Sequence, residues 1–319
     1  MAQNAELVTL DEILQARETI AGKVHRTPMT HSSYFSDQVD SEVFLKLELF
    51  QKTGSFKVRG VTNKMQSLTD EEKEKGVISL SAGNHAQAVA WGAAQYNIPA
   101  TIIMPANSVS SKQAATRDYG GEVLLTDGNL LDYCLAVQKA RDLYLVHPFD
   151  DPKIIAGHGT AGLEIVEDVP NADVVIVGIG GGGLISGIAA AIKAKNPRTR
   201  IIGVEPEGAP TMTRSLAKGA PEHLSELNTV ADGLAAPFVG QHNLNHVQQF
   251  VDEVLLVSDV EILNALTLIW SRCKVLAEPA ACASVAALLS GKIEIPSGAT
   301  VVCMISGGNV DLAGIQALL

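Results

Sequence analysis

One lysine between an aromatic ring and an arginine is the most chemically suggestive residue of this sequence. Lys57 stands in the run Gly-Ser-Phe-Lys-Val-Arg-Gly at positions 54–60, with a glycine at each end. A lysine amine can form a Schiff base with a carbonyl group, including the aldehyde of pyridoxal phosphate (PLP). Short loops with a solvated lysine are common, so this segment gains meaning only from the motifs that follow it.

A run of glycines at 178–183 is typical of a phosphate site. The letters Gly-Ile-Gly-Gly-Gly-Gly follow a predicted strand over 173–177 and open a predicted helix over 184–195. Consecutive glycines let backbone N–H groups surround an anion, and a helix N-terminus adds a favourable potential. We therefore expect a phosphate cradle here.

The same run also satisfies the G-x-G-x-x-G pattern of dinucleotide sites. Glu205 ends the next strand, where an acid would hold a ribose. Four glycines in a row suit a compact monophosphate better, and no obvious second mononucleotide-binding half follows. An NAD-binding Rossmann protein stays open as the remote alternative at this point.

Two polar turns follow other predicted strands. Ser-Ala-Gly-Asn-His at 81–85 joins a strand over 77–81 to a helix over 84–95, and Ser306 follows a strand over 300–305. Open α/β sheets bind ligands at such strand ends. N–H groups at the first turn can hold a carboxylate, and a hydroxyl can hydrogen-bond a pyridine nitrogen without protonating it. Either turn alone is also compatible with a purely structural role.

Alternating strands and helices must position these motifs. Other strands are predicted over 42–49, 100–104, 122–126, 200–204 and 254–257, and other helices near 10–21, 111–119, 154–167, 259–271, 279–290 and 311–318, with one more ending near 141. Such alternation predicts an α/β protein with open, mostly parallel twisted sheets and helices on both faces.

Composition narrows the class of protein. The chain has 319 residues, 46% of them hydrophobic, and a formal net charge of -11. This charge argues against nucleic acid and anionic membrane surfaces as partners. No apolar stretch reads as a membrane span, and the N-terminus lacks the pattern of a signal peptide. The 4 cysteines lack metal-ligand spacing, which favours reduced thiols in a cytoplasmic protein.

The four motifs, in this order, resemble the serine/threonine dehydratases (threonine ammonia-lyases) and serine racemases of the fold-type II PLP enzymes, whose fold is like that of the tryptophan synthase β chain. The resemblance covers nearly the whole chain and includes Gly-His-Gly-Thr at 157–160 and Val-Glu-Pro at 204–206. It implies that Lys57 carries PLP and that Phe56 packs beside the cofactor. The other cofactor contacts implied are Asn84 at the ring 3'-oxygen, Gly180, Gly181, Gly182 and Gly183 at the phosphate, and Ser306 at the pyridine nitrogen.

The same resemblance implies a substrate site and a reaction. The substrate carboxylate would be received by Ser81, Ala82, Gly83, Asn84 and His85. The implied reaction is α,β-elimination from L-threonine or L-serine, with Lys57 as the catalytic base, giving 2-oxobutanoate or pyruvate and ammonia. The partner is thus a small-molecule amino acid.

The resemblance also implies an organisation. Residues 52–147 would form a small mobile domain, and residues 1–51 and 148–319 would form the large PLP-binding domain. No C-terminal regulatory domain is expected, because the chain ends after the last catalytic-domain helix. Relatives of this short form are commonly homodimers or homotetramers.

Some positions depart from the family pattern. Ala82 replaces the second serine of racemases, which disfavours two-base racemisation, although a serine racemase or a 3-hydroxyaspartate dehydratase remains the alternative on this fold. Glu205 and Ala209 fit a divalent-cation site, but Thr211 replaces its aspartate, which suggests a weaker Mg²⁺ or Ca²⁺ site or a monovalent cation. Ala-Cys at 281–282 replaces Gly-Ala, and we expect the extra bulk to narrow the pocket or to shift substrate choice.

Overall fold

The structure is a computed structural model that describes residues 6–316. The described strands are β1 (Met29–His31), β2 (Glu42–Leu47), β3 (Val77–Leu80), β4 (Ala100–Pro105), β5 (Glu122–Thr126), β6 (Tyr144–Leu145), β7 (Val174–Gly178), β8 (Arg200–Pro206), β9 (Glu253–Val257) and β10 (Thr300–Ile305).

The helices of the same residues alternate with these strands. They are α1 (Leu10–Ile20), α2 (Ser33–Val39), α3 (Lys57–Ser67), α4 (Asp70–Lys75), α5 (Asn84–Ala94), α6 (Ser110–Asp118), α7 (Leu130–Arg141), α8 (Pro152–Asp168), α9 (Gly183–Lys195), α10 (Thr211–Lys218), α11 (Gln241–Phe250), α12 (Asp259–Leu268), α13 (Pro279–Leu289) and α14 (Leu312–Gln316). A π-helical turn (Ile269–Cys273) extends α12. No helix of the described residues is long and apolar enough to cross a membrane.

The strands form two separate sheets. The first has six strands in the order β1-β2-β10-β7-β8-β9, and the second has four in the order β5-β4-β3-β6. All pairings are parallel except that of β1 with β2. The central strands are buried almost throughout, as strands of a parallel sheet with both faces covered must be.

Local sequence explains the main helix starts. Thr9 and Glu12 form a capping box at the start of α1, and Ser258 with Glu261 forms another at α12. Asp151 accepts hydrogen bonds from the first turn of α8, whose first residue is Pro152. Each of these side chains satisfies N–H groups that the helix itself leaves unpaired.

The predicted elements are present within a few residues, but the structure contains further elements that were not predicted. Strands β1 and β6 and helices α2, α3, α4, α10 and α11 were not predicted. Lys57, for which no element was predicted, is the first residue of α3. The end of the helix predicted over 311–318 lies outside the described residues.

Candidate active site

A cleft of about 780 Å³ lies at the carboxyl ends of β3, β7 and β10. All four sequence motifs contribute to its walls. The predicted site residues that line it are Phe56, Lys57, Ser81, Ala82, Gly83, Asn84, His85, Gly180, Gly181, Gly182, Gly183 and Ser306. The fold therefore brings together segments that are far apart in the sequence, at the sheet edge where α/β proteins bind ligands.

The amine of Lys57 is held inside this cleft. Its Nζ atom donates a 2.9 Å hydrogen bond to the carbonyl oxygen of Pro148 and lies 5.1 Å from the centre of the Phe56 ring. Burial lowers the pKa of Lys57 to about 8, because a charged ammonium loses hydration there. A larger share of neutral, nucleophilic amine is therefore present near neutral pH.

A buried ion cluster anchors the helix that carries Lys57. Arg59 donates from Nε and Nη2 to Glu48, at 2.8 and 2.7 Å, and from Nη1 to Glu164 at 2.7 Å. Its side chain is only 1% exposed. The Arg59 guanidinium helps to hold the pKa of the buried Glu48 carboxyl below its usual value. A planar guanidinium held by two carboxylates fixes the start of α3. It thereby fixes the backbone position from which the side chain of Lys57 extends.

The glycine loop has no room for side chains. A Cβ atom at Gly181 would lie 2.3 Å from the ring of Phe149, and one at Gly182 would lie 2.8 Å from Cβ of Asn243. Gly182 also has a φ of +97°, a backbone conformation that residues other than glycine rarely adopt. The loop leads directly into α9, so its backbone N–H groups gather at a helix N-terminus, as an anion site requires.

The turn at 81–85 lies at the start of α5. The N–H group of Gly83 donates to Oγ of Ser81 at 3.1 Å. His85 is buried, and its Nε2 atom lies 3.0 Å from Oγ of Ser79, which donates to the carbonyl of Val146. Burial, with the nearby Lys57, holds the pKa of His85 well below its usual range, so its ring is neutral near pH 7.

The side chain of Asn84 joins a polar network that the sequence did not predict. Its Nδ2 atom donates to Oε1 of Glu278 at 2.6 Å, and its Oδ1 atom accepts from Nδ2 of Asn309 at 2.7 Å. Asn309 also donates to the carbonyl of Thr53. Burial, together with Asp232, raises the pKa of Glu278 to about 7. Glu278 is thus a titratable group of the cleft.

Ser306 lies at the end of β10 and is 8% exposed. Its carbonyl oxygen accepts a 3.1 Å hydrogen bond from the N–H group of Phe56. The neighbouring Gly307 forms a β-bridge with Ser55. These backbone contacts connect the segment before Lys57 to the six-stranded sheet. Lys57 and Ser306 therefore lie on neighbouring backbone segments.

The predicted cation residues are buried, and the side chains of Glu205 and Thr211 have protein partners. Glu205 accepts from the N–H groups of Met212 and Thr213 and from the hydroxyl of Thr213, at 2.6, 2.9 and 2.7 Å. The hydroxyl of Thr211 donates to the carbonyl of Ala236, and Ala209 is 1% exposed. Burial raises the pKa of Glu205. The carboxylate therefore caps the start of α10.

One expectation for the pocket is wrong. Ala281 and Cys282 were expected to narrow it, but both pack into the core beside the six-stranded sheet and neither lines the cleft. The thiol of Cys282 points back along α13 and donates to the carbonyl of Glu278. The helix turns these two side chains away from the face that bears Glu278 and Ala280.

Sequence reasoning also missed several residues that line the cleft. They are His147, Phe149, Lys112, Asp232, Phe238 and Glu278. Only Glu278 carried a usable signal, because it precedes a proline at the first position of a helix. The others lie in segments without a motif, and only the folded chain places them beside Lys57.

The chain is similar to several known proteins. The chain is 44% identical to the L-threonine ammonia-lyase of Thermotoga maritima, over 98% of this chain and 78% of the relative. It is also 44% identical to the catabolic L-threonine dehydratase of Escherichia coli strain K12, over 98% and 96%. The structure of maize serine racemase matches with a TM-score of 0.93 at 39% identity, over 98% and 97%. The predicted fold class is thereby confirmed.

The model of one protein family, described as pyridoxal-phosphate dependent enzyme, matches residues 20–307. The matched region spans the lysine, the whole turn at 81–85, the whole glycine loop and Ser306. Such a cofactor needs an amine for its aldehyde, a cradle for its phosphate and a polar contact for its ring. The cleft described above contains residues of each kind. The chain therefore belongs to the family of pyridoxal-phosphate dependent enzymes.

Proposed function

We propose that this chain is an ammonia-lyase that converts L-threonine to 2-oxobutanoate and ammonia, and L-serine to pyruvate and ammonia. The observation that carries the proposal is the buried amine of Lys57, whose pKa burial lowers to about 8, in one cleft with the glycine loop. The relatives named threonine ammonia-lyase and threonine dehydratase, each 44% identical, support the substrate class.

The residues of the cleft suit PLP. The glycine loop offers N–H groups where side chains do not fit, which suits a phosphate. Lys57 has a carbonyl partner at Pro148, and burial lowers its pKa, which favours the neutral amine. In this proposal Phe56 packs beside the ring, Asn84 meets the 3'-oxygen and Ser306 meets the pyridine nitrogen.

Each part of the chain then has a task. When bound, PLP supplies an aldehyde for amine attachment and a sink for the electron pair left at Cα. The N–H groups of the turn at 81–85 bind and orient the substrate carboxylate at the positive end of α5. Lys57, once its amine is free, takes the proton from Cα. A hydroxyl from Ser306 hydrogen-bonds the ring nitrogen without protonating it.

Absorption spectroscopy with a product assay tests this function. We expect the purified protein with PLP to absorb visible light and to change its spectrum on addition of L-threonine or L-serine, while 2-oxobutanoate or pyruvate accumulates. Lys57→Ala should lose both the band and the elimination. Full activity in this variant, or a wild-type protein that cannot be reconstituted with PLP, would overturn the proposal.

A second candidate is racemisation of serine, favoured by the likeness to maize serine racemase at 39% identity. Against it, Ala82 in the cleft has no proton to transfer to the opposite face of Cα. A 3-hydroxyaspartate dehydratase is a further alternative on this fold. Chiral analysis of L-serine incubations, with 3-hydroxyaspartate run as a parallel substrate, separates the three activities.

We also propose that Glu205 and Ala209 contribute to a weak divalent or a monovalent cation site. The hydrogen bonds that Glu205 already accepts from α10 and the threonine at 211 support a weak site over a tight one. Activity measured after chelation, with Na⁺, K⁺, Mg²⁺ or Ca²⁺ added back singly, tests this part.

The organisation of the protein is likewise proposed. Residues 77–145 hold the four-stranded sheet, which supports 52–147 as a small mobile domain against a large domain of 1–51 and 148–319. We further propose a cytoplasmic homodimer or homotetramer. Light scattering coupled to gel filtration measures the oligomer directly.

A further inference from the structure

An ion pair crosses the mouth of the cleft. Nζ of Lys112, on α6, lies 2.5 Å from Oδ2 of Asp232, which stands in the segment between α10 and α11. The two residues are 120 positions apart. α6 packs against the four-stranded sheet through β5, whereas Asp232 begins a helical turn that packs on α13 beside the six-stranded sheet. The pair therefore joins the two halves of the site.

The ammonium of Lys112 lies beside the turn proposed to hold the substrate carboxylate. A Cβ atom added at Gly83 would have Nζ of Lys112 as its nearest neighbour, at 3.7 Å. Gly83 immediately precedes α5, whose first turn contains no acidic residue. A cation and the positive end of a helix thus converge on one small region of the cleft wall.

The two partners differ in their exposure to water. The Lys112 side chain is 11% exposed and that of Asp232 is 60% exposed. Because solvent screens the aspartate more strongly than the lysine, the aspartate offsets only part of the field of the ammonium inside the cleft. The aspartate instead fixes where a long and flexible lysine side chain places its charge.

We propose that Lys112 is a substrate-binding residue, whose ammonium pairs with the α-carboxylate of the amino acid at the turn of residues 81–85, and that Asp232 positions it. This inference rests on the proposed function, since it names a further residue of the same site. The ligand class it predicts is an amino acid with a free carboxylate. Lys112 discriminates against neutral derivatives of such amino acids.

Two ligands test the inference, one with a free α-carboxylate and one in which a neutral amide replaces it. L-Alanine and L-alaninamide have no β-leaving group, so both bind without elimination, and the visible spectrum of the PLP-loaded protein reports their dissociation constants. We expect Lys112→Met to weaken L-alanine binding about tenfold, which is the loss of one charge-assisted contact. The dissociation constant of L-alaninamide should stay within about threefold of the wild-type value. Lys112→Arg should retain most of the preference for L-alanine.

Asp232→Asn is the matched control. It breaks the same ion pair and frees the lysine side chain but leaves its charge in place, so the preference for L-alanine over L-alaninamide should fall, but by less than in Lys112→Met. If Lys112→Met and Asp232→Asn instead weakened both ligands equally, the pair would be only a structural link and the inference would be wrong. Inhibition of L-threonine turnover by the two compounds measures the same preference independently of the spectrum.

Kinetics provide a second readout. For L-threonine, Lys112→Met should raise KM about tenfold while kcat stays within about threefold, since the contact is made in both ground and transition states. A fall in kcat with an unchanged KM would contradict this assignment. If the wild-type protein eliminated water from neither L-threonine nor L-serine, the proposed function would be refuted. If Lys112→Met had the KM and the dissociation constants of wild type, only the role of Lys112 would be refuted.

Discussion

Asn84 donates a 2.6 Å hydrogen bond from Nδ2 to Oε1 of Glu278 across the cleft. The carboxyl at the other end of this bond is titratable near neutral pH, because burial and Asp232 raise the pKa of Glu278 to about 7. A change in its charge would alter the hydrogen bonding of a side chain proposed to contact the cofactor. The cleft thus contains several groups with displaced pKa values, Lys57, His85 and Glu278 among them, a property common at active sites.

The raised pKa of Glu278 predicts a pH-dependent stability. An unfolded glutamate ionises near 4.5, whereas Glu278 in the folded chain keeps its proton up to about 7. Between these two pH values Glu278 is protonated in the folded state and ionised in the unfolded state. The free energy of unfolding therefore falls as pH rises, by roughly 3 kcal/mol in total. Glu278→Gln should therefore gain stability relative to wild type from pH 4.5 to pH 7.5. Urea unfolding of the cofactor-free proteins measures the difference, with the exposed Glu226→Gln as control; a difference that does not vary with pH would contradict the prediction.

The amine of Lys57 should react with the cofactor aldehyde at unusually low pH. Only the neutral amine attacks a carbonyl, and burial lowers the pKa of Lys57 from 10.5 to about 8. We expect the rate of PLP attachment to the cofactor-free protein to rise with pH and to level off above about 8. Rapid-mixing absorbance from pH 6 to 10 records this profile, and Lys57→Ala supplies the blank. A midpoint near 10.5 would mean that the amine is solvated.

Gly181→Ala should impair cofactor retention. The new methyl group would lie 2.3 Å from the Phe149 ring, so the loop must shift away from the position in which its N–H groups surround a phosphate. We expect at least about a tenfold increase in the dissociation constant of PLP, the cost of roughly one hydrogen bond of the cradle. Gly128→Ala is the control, because a Cβ there makes only an ordinary contact at 3.5 Å. Equal PLP affinity of the two variants would argue against this cradle.

Arg59→Met should destabilise the fold strongly. It removes the guanidinium that is paired with Glu48 and Glu164 and leaves a buried carboxylate without its partner. Breaking such a buried pair costs about 3–5 kcal/mol. Arg17→Met removes a half-exposed ion pair with Glu167 instead and should cost at most about 1 kcal/mol. Urea denaturation of both variants compares them, and similar losses would mean that the buried cluster contributes little.

The sequence by itself determined the parts of the site that local chemistry encodes. The glycine run, the lysine and the two strand-end turns were all recognisable, because glycine geometry, a reactive amine and helix N-termini act over a few neighbouring residues. The apolar strands over 174–177 and 301–305 were equally clear, since buried parallel strands need continuous hydrophobic runs. These features predicted the fold class, and their joint resemblance to a known family implied PLP as the cofactor.

Only the tertiary structure decided which distant side chains meet those motifs. Glu278 lies 194 positions from Asn84, and Asp232 lies 120 positions from Lys112. Neither pairing has a local signature, because a hydrogen bond or an ion pair depends on position in space and not on sequence spacing. The same holds for the depressed pKa of Lys57 and the raised pKa of Glu278, which arise from burial. Burial is a property of the whole packed fold, and a single segment of sequence cannot specify it.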